Sequence, residues 1–292
     1  MSPEHLETYG GTGGKTPNLN ALAAESLQYQ NAFSTAGVCA PSRAALITGA
    51  YQTSIGAMHM RTLSPSATAG DAYPPGFKGY STVLPEGMWP YPVHLRMAGY
   101  YVSNNVKEDY QFRSPVMMWD EISNKAHYRN RPDPNQPLFS IFNFTTTDES
   151  QVWARDKEPL KVNPAKVKLP SFYPDDSISR HVMARFITNV MRMDVQVWEV
   201  IAQLKEDGLY DNTIIFFYSD HGDGMPYFKR ELYDRGLKEP LLVKAPWLEG
   251  GTKTDELVSF VDFGPTLLSL AGIPIPDSMQ GKAFLGERKA EP

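Results

Sequence analysis

The chain has 292 residues and a formal net charge of −5, with Lys and Arg spread along its length, so no basic patch points to nucleic acid. No apolar run approaches the roughly 20 residues of a membrane-spanning helix, and a single cysteine excludes an internal disulfide framework. A chain of this size can bury one large core, and Met1-Ser2-Pro3-Glu4-His5 lacks the basic and apolar regions of a signal peptide.

In chain order, residues 1–16 are polar and Gly-rich and read as a flexible surface loop; Gly10 to Lys15 fails as a phosphate loop because no strand precedes it. Thr16 is placed to cap a helix that starts at Pro17 and ends near Ser26, and Leu27–Phe33 alternates as a strand. Residues 62–91 form a long Pro- and Gly-rich loop, after which Val93–Ala98 is a short helix stopped by Gly99. Tyr100–Ser103 is a strand leading to Asn104, Asn105 and Lys107, and a second loop region covers 105–136. Leu138–Phe144 reads as a central buried strand, and 151–178 as loop. The clearest helix is Ser179–Asp207, with Val182, Phe186, Val190, Met193, Val197, Ile201 and Leu204 three or four apart. Thr213–Tyr218 is a strand, Phe228–Asp234 a helix closed by Gly236, and Leu241–Ala245 a strand. Asp262 is placed to cap a last helix over Gly264–Ala271. Strands alternating with helices imply an α/β fold with a mostly parallel central sheet covered on both faces, and no repeat or linker divides the chain.

The one cysteine lies in Val38-Cys39-Ala40-Pro41-Ser42-Arg43-Ala44-Ala45-Leu46-Ile47-Thr48-Gly49. Pro41 suits a first helical turn and Gly49 a C-cap, which puts Cys39 just before a helix N-terminus, where free N–H groups favour negative charge. Arg43 adds a cation one turn in. A lone cysteine is more often a small core residue, and that reading stands beside the functional one. Ligands of open α/β sheets bind beyond the carboxyl ends of the strands. Three polar clusters fall there: Asn104–Lys107, Thr145–Ser150 and Asp220-His221-Gly222-Asp223. Each alone is also a plausible solvated turn, though a carboxylate and an imidazole directly after a buried strand suit a metal.

Cys39-x-Pro41-Ser42-Arg43 with Leu46-x-Thr48-Gly49 resembles the formylglycine motif of the type I sulfatases, in the alkaline phosphatase superfamily. Ser219-Asp220-His221-Gly222-Asp223, then Lys229 and Leu232-Tyr233-Asp234, is similar to that family's second metal segment and its sulfate-binding lysine. Thr16-Pro17-Asn18-Leu19 and Val258–Asp262 extend the resemblance over nearly the whole chain, with a local flavour of bacterial polysaccharide sulfatases.

The resemblance implies an alkaline-phosphatase-like fold, here one catalytic domain over 1–292 truncated at both ends, without the family's first strand and C-terminal subdomain. It implies conversion of Cys39 to formylglycine by a formylglycine-generating enzyme and a nucleophile held by Arg43. Asp220 and His221, with Cys39, would ligate a divalent cation, Ca²⁺ in most members, and Lys107 and Lys229 would neutralise sulfate oxygens. Asp148 stands where the family often has histidine, and Lys107-Glu108-Asp109 replaces Lys-x-His. Asp148 then becomes the candidate general acid, with His59 and His127 as substrate-side alternatives.

The implied function is hydrolysis of sulfate esters, O- or N-linked, on carbohydrate, in the periplasm or outside the cell. Specificity is assigned to loops 62–92 and 105–136. A phosphate-ester hydrolase of the same superfamily and an impaired, glycan-binding fragment remain the alternatives.

Overall fold

The structure, a computed structural model, describes residues 1–60, 62 and 79–291. Along the chain run α1 (Pro17–Ala24), β1 (Leu27–Phe33), α2 (Cys39–Thr48), α3 (Tyr91–Met97), β2 (Tyr101–Asn105), β3 (Glu121–Ile122) and β4 (Leu138–Phe142). There follow α4 (Glu149–Ala154), α5 (Ser177–Glu206), β5 (Ile215–Tyr218), α6 (Asp234–Leu237), β6 (Lys238–Lys244), β7 (Thr252–Ser259) and α7 (Phe263–Leu270). They form two compact units, Met1–Ala32 with Phe144–Leu257, and Phe33–Asn143 with Val258–Pro292.

The first unit carries a four-stranded sheet in the order β5-β6-β1-β7. β5 and β6 are antiparallel, with Ile215 opposite Lys244 and Tyr218 opposite Leu241. α5 buries Phe186, Val190, Met193, Val197, Ile201 and Leu204, the apolar stripe that its spacing foretold. Its end is set by Gly208 in the left-handed region. α1 packs on α5, but Thr16 makes no side-chain cap. Asp194 of α5 does that work instead, accepting from Leu19 N (2.8 Å), Asn18 Nδ2 (2.8 Å) and Asn18 N (3.3 Å). The free N–H groups of α1 are thus satisfied from a neighbouring helix.

Residues 1–16 are not a loose surface loop. Two 3-10 turns, Pro3–His5 and Glu7–Tyr9, bury Met1, His5 and Leu6. Tyr9 Oη accepts from Leu241 N (2.9 Å) and donates toward the carbonyls of Leu241 (3.0 Å) and Tyr29 (3.1 Å), pinning the segment across β6 and β1. A Cβ on Gly11 would lie 2.5 Å from Glu4 O, so the return of the chain at that point requires glycine.

The second unit holds a parallel three-stranded sheet, β3-β2-β4, with Ser103 opposite both Glu121 and Ser140. β2 is its buried centre. β4, expected to be central, is its edge and only half-buried. α2 packs on α7 and on the Phe260–Asp262 turn, and it ends at Gly49 (φ 68°), whose carbonyl accepts from Gln280 N (2.7 Å) and Gly281 N (3.1 Å).

Other expectations change in detail. β7 was not anticipated, because Thr252–Glu256 is polar and half-exposed. The 151–178 loop contains the end of α4 and a 3-10 turn at Pro164–Lys166. Phe228–Asp234 is not a helix: Tyr227 (φ 64°) and Arg230 (φ 74°) occupy left-handed conformations that a right-handed helix excludes, and only the single turn α6 follows. Asp262 precedes α7, but its carboxylate accepts from Ser259 N and Lys282 N rather than capping that helix. Most of the 62–91 loop, residues 63–78, lies outside the described residues.

Asp194→Ala removes three acceptor contacts to the start of α1. It should lower unfolding free energy by about 1–3 kcal/mol, read as a reduced urea midpoint with an unchanged slope; an unchanged midpoint would contradict the capping role.

Candidate active site

In the second unit, Cys39 is fully buried and is the first residue of α2, following the extended Val38. Arg43, one turn on and 9% exposed, points its fork at the segment after β2. Nε donates to Glu108 O (2.8 Å), and Nη2 to Lys107 O (2.7 Å) and Asn143 Oδ1 (2.8 Å). Asn143, directly after β4, donates in turn to Asn104 Oδ1 (2.8 Å) and Asn105 O (3.0 Å). Asn104, fully buried, donates to Lys107 O (3.3 Å). Arg43 therefore fixes the main chain that carries Lys107, whose ammonium lies 3.9 Å from Asp109. Glu108 accepts from Trp119 Nε1 (2.7 Å). Asn143 escaped the sequence reading; its only signal was its place just beyond the end of a strand.

In the first unit, the turn after β5 brings Asp220 and His221 together, with His221 Nε2 3.8 Å from Asp220 Oδ1. His221 Nδ1 donates to Gly222 O (2.7 Å), which orients the ring with Nε2 on the side of Asp220. Burial holds the imidazole down to about 4, with the positive charge of Lys229 acting in the same direction, so it is neutral at neutral pH. A neutral imidazole nitrogen beside a carboxylate oxygen is a donor set that fits a divalent cation. A Cβ on Gly222 would lie 2.0 Å from Arg235 O, so the turn accepts only glycine there.

Asp223 faces the other way. It accepts from Ser2 N (2.7 Å) and pairs with His5 Nε2 (2.5 Å). Burial opposes charge on His5, yet Asp223, with Glu4, raises it above its ordinary value; burial opposes charge on Asp223 too, and His5 holds it below the usual carboxylate range. Glu4, His5 and Asp223 bring possible ligand atoms within 4.8 Å, but His5 and Asp223 already satisfy one another. This buried ion pair was also missed in the sequence.

Lys229 Nζ lies 3.6 Å from Asp148 and 3.3 Å from Glu149, and its side chain is only 9% exposed. Asp148 caps α4, accepting from Ser150 N (3.0 Å) and Ser150 Oγ (2.6 Å). Of the two loop histidines, His59 is exposed, with its ring 6.4 Å from that of Tyr80. His127 caps a 3-10 turn, accepting from Arg129 N (3.1 Å), and packs on Tyr128 and Phe142.

In one unit the buried helix α2 opens on Cys39 with Arg43 behind it, and in the other a carboxylate–imidazole pair follows β5. The sulfatase family model matches residues 1–88 and 101–273. The chain is 40% identical to an ulvan-active sulfatase of Formosa agariphila, over 98% of this chain and 53% of that protein. It is 27% identical to the human N-sulphoglucosamine sulphohydrolase, over 97% of this chain and 63% of that protein. A solved Bacteroides thetaiotaomicron protein described in glycosaminoglycan metabolism superposes with a TM-score of 0.72 at 18% identity, covering 97% of this chain and 73% of that one. The fold is alkaline-phosphatase-like. The chain belongs to the sulfatase family, and membership implies a formylglycine and a divalent metal. It spans a little over half the length of the two curated relatives.

Asn143→Ala cuts the link between Arg43 and the β2 end. Loss of about 1–1.5 kcal/mol of local hydrogen bonding should speed amide exchange in residues 104–110 roughly tenfold, while exchange in α5 stays at the parent rate. Equal protection in both proteins would remove Asn143 from this role.

Proposed function

We propose that this chain hydrolyses sulfate esters on carbohydrate, on the strength of one observation above others. Cys39, in the family motif, opens a buried helix with Arg43 locked one turn behind it. The proposed cation is Ca²⁺, with Asp220 and His221 as ligands from the first unit and Cys39 as the residue to be modified. Formylglycine, made from Cys39 by a formylglycine-generating enzyme, supplies an oxygen nucleophile, and the cation supplies charge that neutralises sulfate oxygens. The relatives' action on ulvan supports a polysaccharide setting, and a periplasmic or extracellular location is proposed with it.

The chain's own residues take the remaining roles. Arg43 holds the nucleophile's segment in register with the Lys107 main chain. Lys107 and Lys229 bind the sulfate oxygens as charge builds during in-line displacement at sulfur. When the S–O bond to the sugar breaks, the leaving oxygen needs a proton, and Asp148 is the proposed donor. Asp148 accepts from Ser150 N and Ser150 Oγ and lies 3.6 Å from Lys229 Nζ. Glu149, the closer partner of Lys229 at 3.3 Å, can carry the ion pair when Asp148 takes up a proton beside an anionic substrate. His59 and His127 are proposed to contact substrate from the loops.

The reading is tested by co-expression with a formylglycine-generating enzyme, the mass of the Cys39 peptide, and sulfate release from ulvan and glycosaminoglycan oligosaccharides. We expect thiol replaced by aldehyde, turnover that falls with chelator and returns with Ca²⁺, and no turnover in Cys39→Ala. Sulfate release that persists in that variant would overturn the assignment.

Asp148→Asn addresses the proton. A sugar alkoxide needs protonation and nitrophenolate does not, so the variant should lose about 10²–10⁴-fold on sugar sulfates and far less on 4-nitrophenyl sulfate. Equal losses on both would make Asp148 only a partner of Lys229.

A further inference from the structure

Resting on the sulfatase reading, we propose that Tyr227, backed by Phe172, is an aromatic platform for a sugar ring of the substrate, beside the residue that bears the sulfate. Both belong to the first unit. Tyr227 is 60% exposed and Phe172 38%, although large aromatic rings gain most when covered. They are held rather than loose. The Phe172 ring meets Tyr173 at 4.9 Å, Tyr227 at 5.5 Å and 75°, and Phe228 at 6.2 Å, with the Arg235 guanidinium 4.2 Å from its centre. Tyr173 Oη donates to Pro226 O (2.7 Å), which anchors the main chain immediately before Tyr227. A ring fixed in this way loses little side-chain freedom when a ligand stacks on it.

The backbone supports a binding role. Tyr227 and Arg230 are both non-glycine residues in the left-handed region, on either side of Phe228 and Lys229. Conformations of that kind cost free energy, and they persist where the surrounding structure over-determines them, commonly at ligand sites. Here they turn Phe228 into the core, leave Tyr227 exposed, and direct Lys229 to Asp148 and Glu149.

Charge selects the occupant. The exposed ring is followed within three residues by Lys229 and Arg230, the latter 3.7 Å from Glu149 with its side chain 64% exposed. A sulfated sugar presents an apolar C–H face to such a ring and an anion on its rim to Arg230, the one of the two cations that reaches solvent. A second copy of this chain would need a broad apolar face, whereas here the exposed Leu232 and Tyr233 are bracketed by the exposed charges of Arg230 and Asp234.

The test compares the parent with Tyr227→Gly, which removes the ring and relieves φ 64°, and Tyr227→Trp, which keeps a ring. The readouts are the ratio of kcat/KM for a sulfated tetrasaccharide to that for 4-nitrophenyl sulfate, and calorimetric affinity for the same tetrasaccharide. We expect the ratio and the affinity to fall about tenfold in Tyr227→Gly and to recover in Tyr227→Trp. Parent-like values in Tyr227→Gly overturn the platform whether or not any ester is hydrolysed. If no protein turns over either ester, the sulfatase reading fails while the affinity series still decides the platform. Light scattering that shows self-association lost in Tyr227→Gly, with tetrasaccharide affinity intact, assigns the patch to a second copy instead and also overturns it.

Discussion

The second unit is arranged around a guanidinium that is almost fully withdrawn from water. Arg43 lies on α2 behind Cys39, and its fork ends on two main-chain carbonyls and the Asn143 amide. A buried cation of this kind is tolerated only when its donors are matched. That requirement dictates where the chain after β2 must run. Asn104, Asn105 and Asn143 then knit the ends of β2 and β4 to the same loop. The helix bearing Cys39 and the loop bearing Lys107 are thereby parts of one hydrogen-bonded frame, and lysine in place of Arg43 would lack the planar fork that makes it so.

The first unit handles charge differently. Its polar residues cluster after β5, where the sheet ends, and each is given a partner of the required kind. Asp223 is neutralised by His5, Lys229 by Asp148 and Glu149, and His221 is kept neutral by burial. The outcome is a division of labour along four consecutive residues, Asp220 to Asp223. Asp220 and His221 hold a carboxylate oxygen and an imidazole nitrogen 3.8 Å apart, while Asp223 secures the chain's first turn through Ser2 and His5. Gly222 makes the division possible, since no side chain fits between the two directions.

Much of this was legible in the residues. The α5 stripe, β1, the extent of α2 from Pro41 and Gly49, and the carboxylate–imidazole pair at a strand end follow from periodicity and local chemistry, and the elements lie where these place them. What was not legible depends on partners distant in sequence. Asp194 caps α1 from 175 residues away, and His5 pairs with Asp223 across 218. β7 is half-exposed and polar, so it carries no apolar alternation to detect, and β4 is apolar enough to read as central although it forms an edge. The polar first residues look like free loop until Tyr9 is seen clamped to β6.

The failed helix at Phe228–Asp234 shows why local propensity loses at this site. As a helix, the segment would place Lys229 and Tyr233 on one face and expose or bury them together. The structure instead separates neighbours: Phe228 is fully buried, Lys229 nearly so beside two carboxylates, and Tyr233 is 67% exposed. Two left-handed residues achieve this at a cost of order 1–3 kcal/mol each. Burial of the Phe228 side chain, about 1.5–3 kcal/mol, and the sheltered Lys229 ion pairs offset a cost of that size. Steric room adds the final constraint, for a Cβ on Gly236 would lie 2.2 Å from Glu231 O and 2.6 Å from Phe228 O. The chain returns so tightly after Lys229 that the bend and the lysine's position are one feature of the fold.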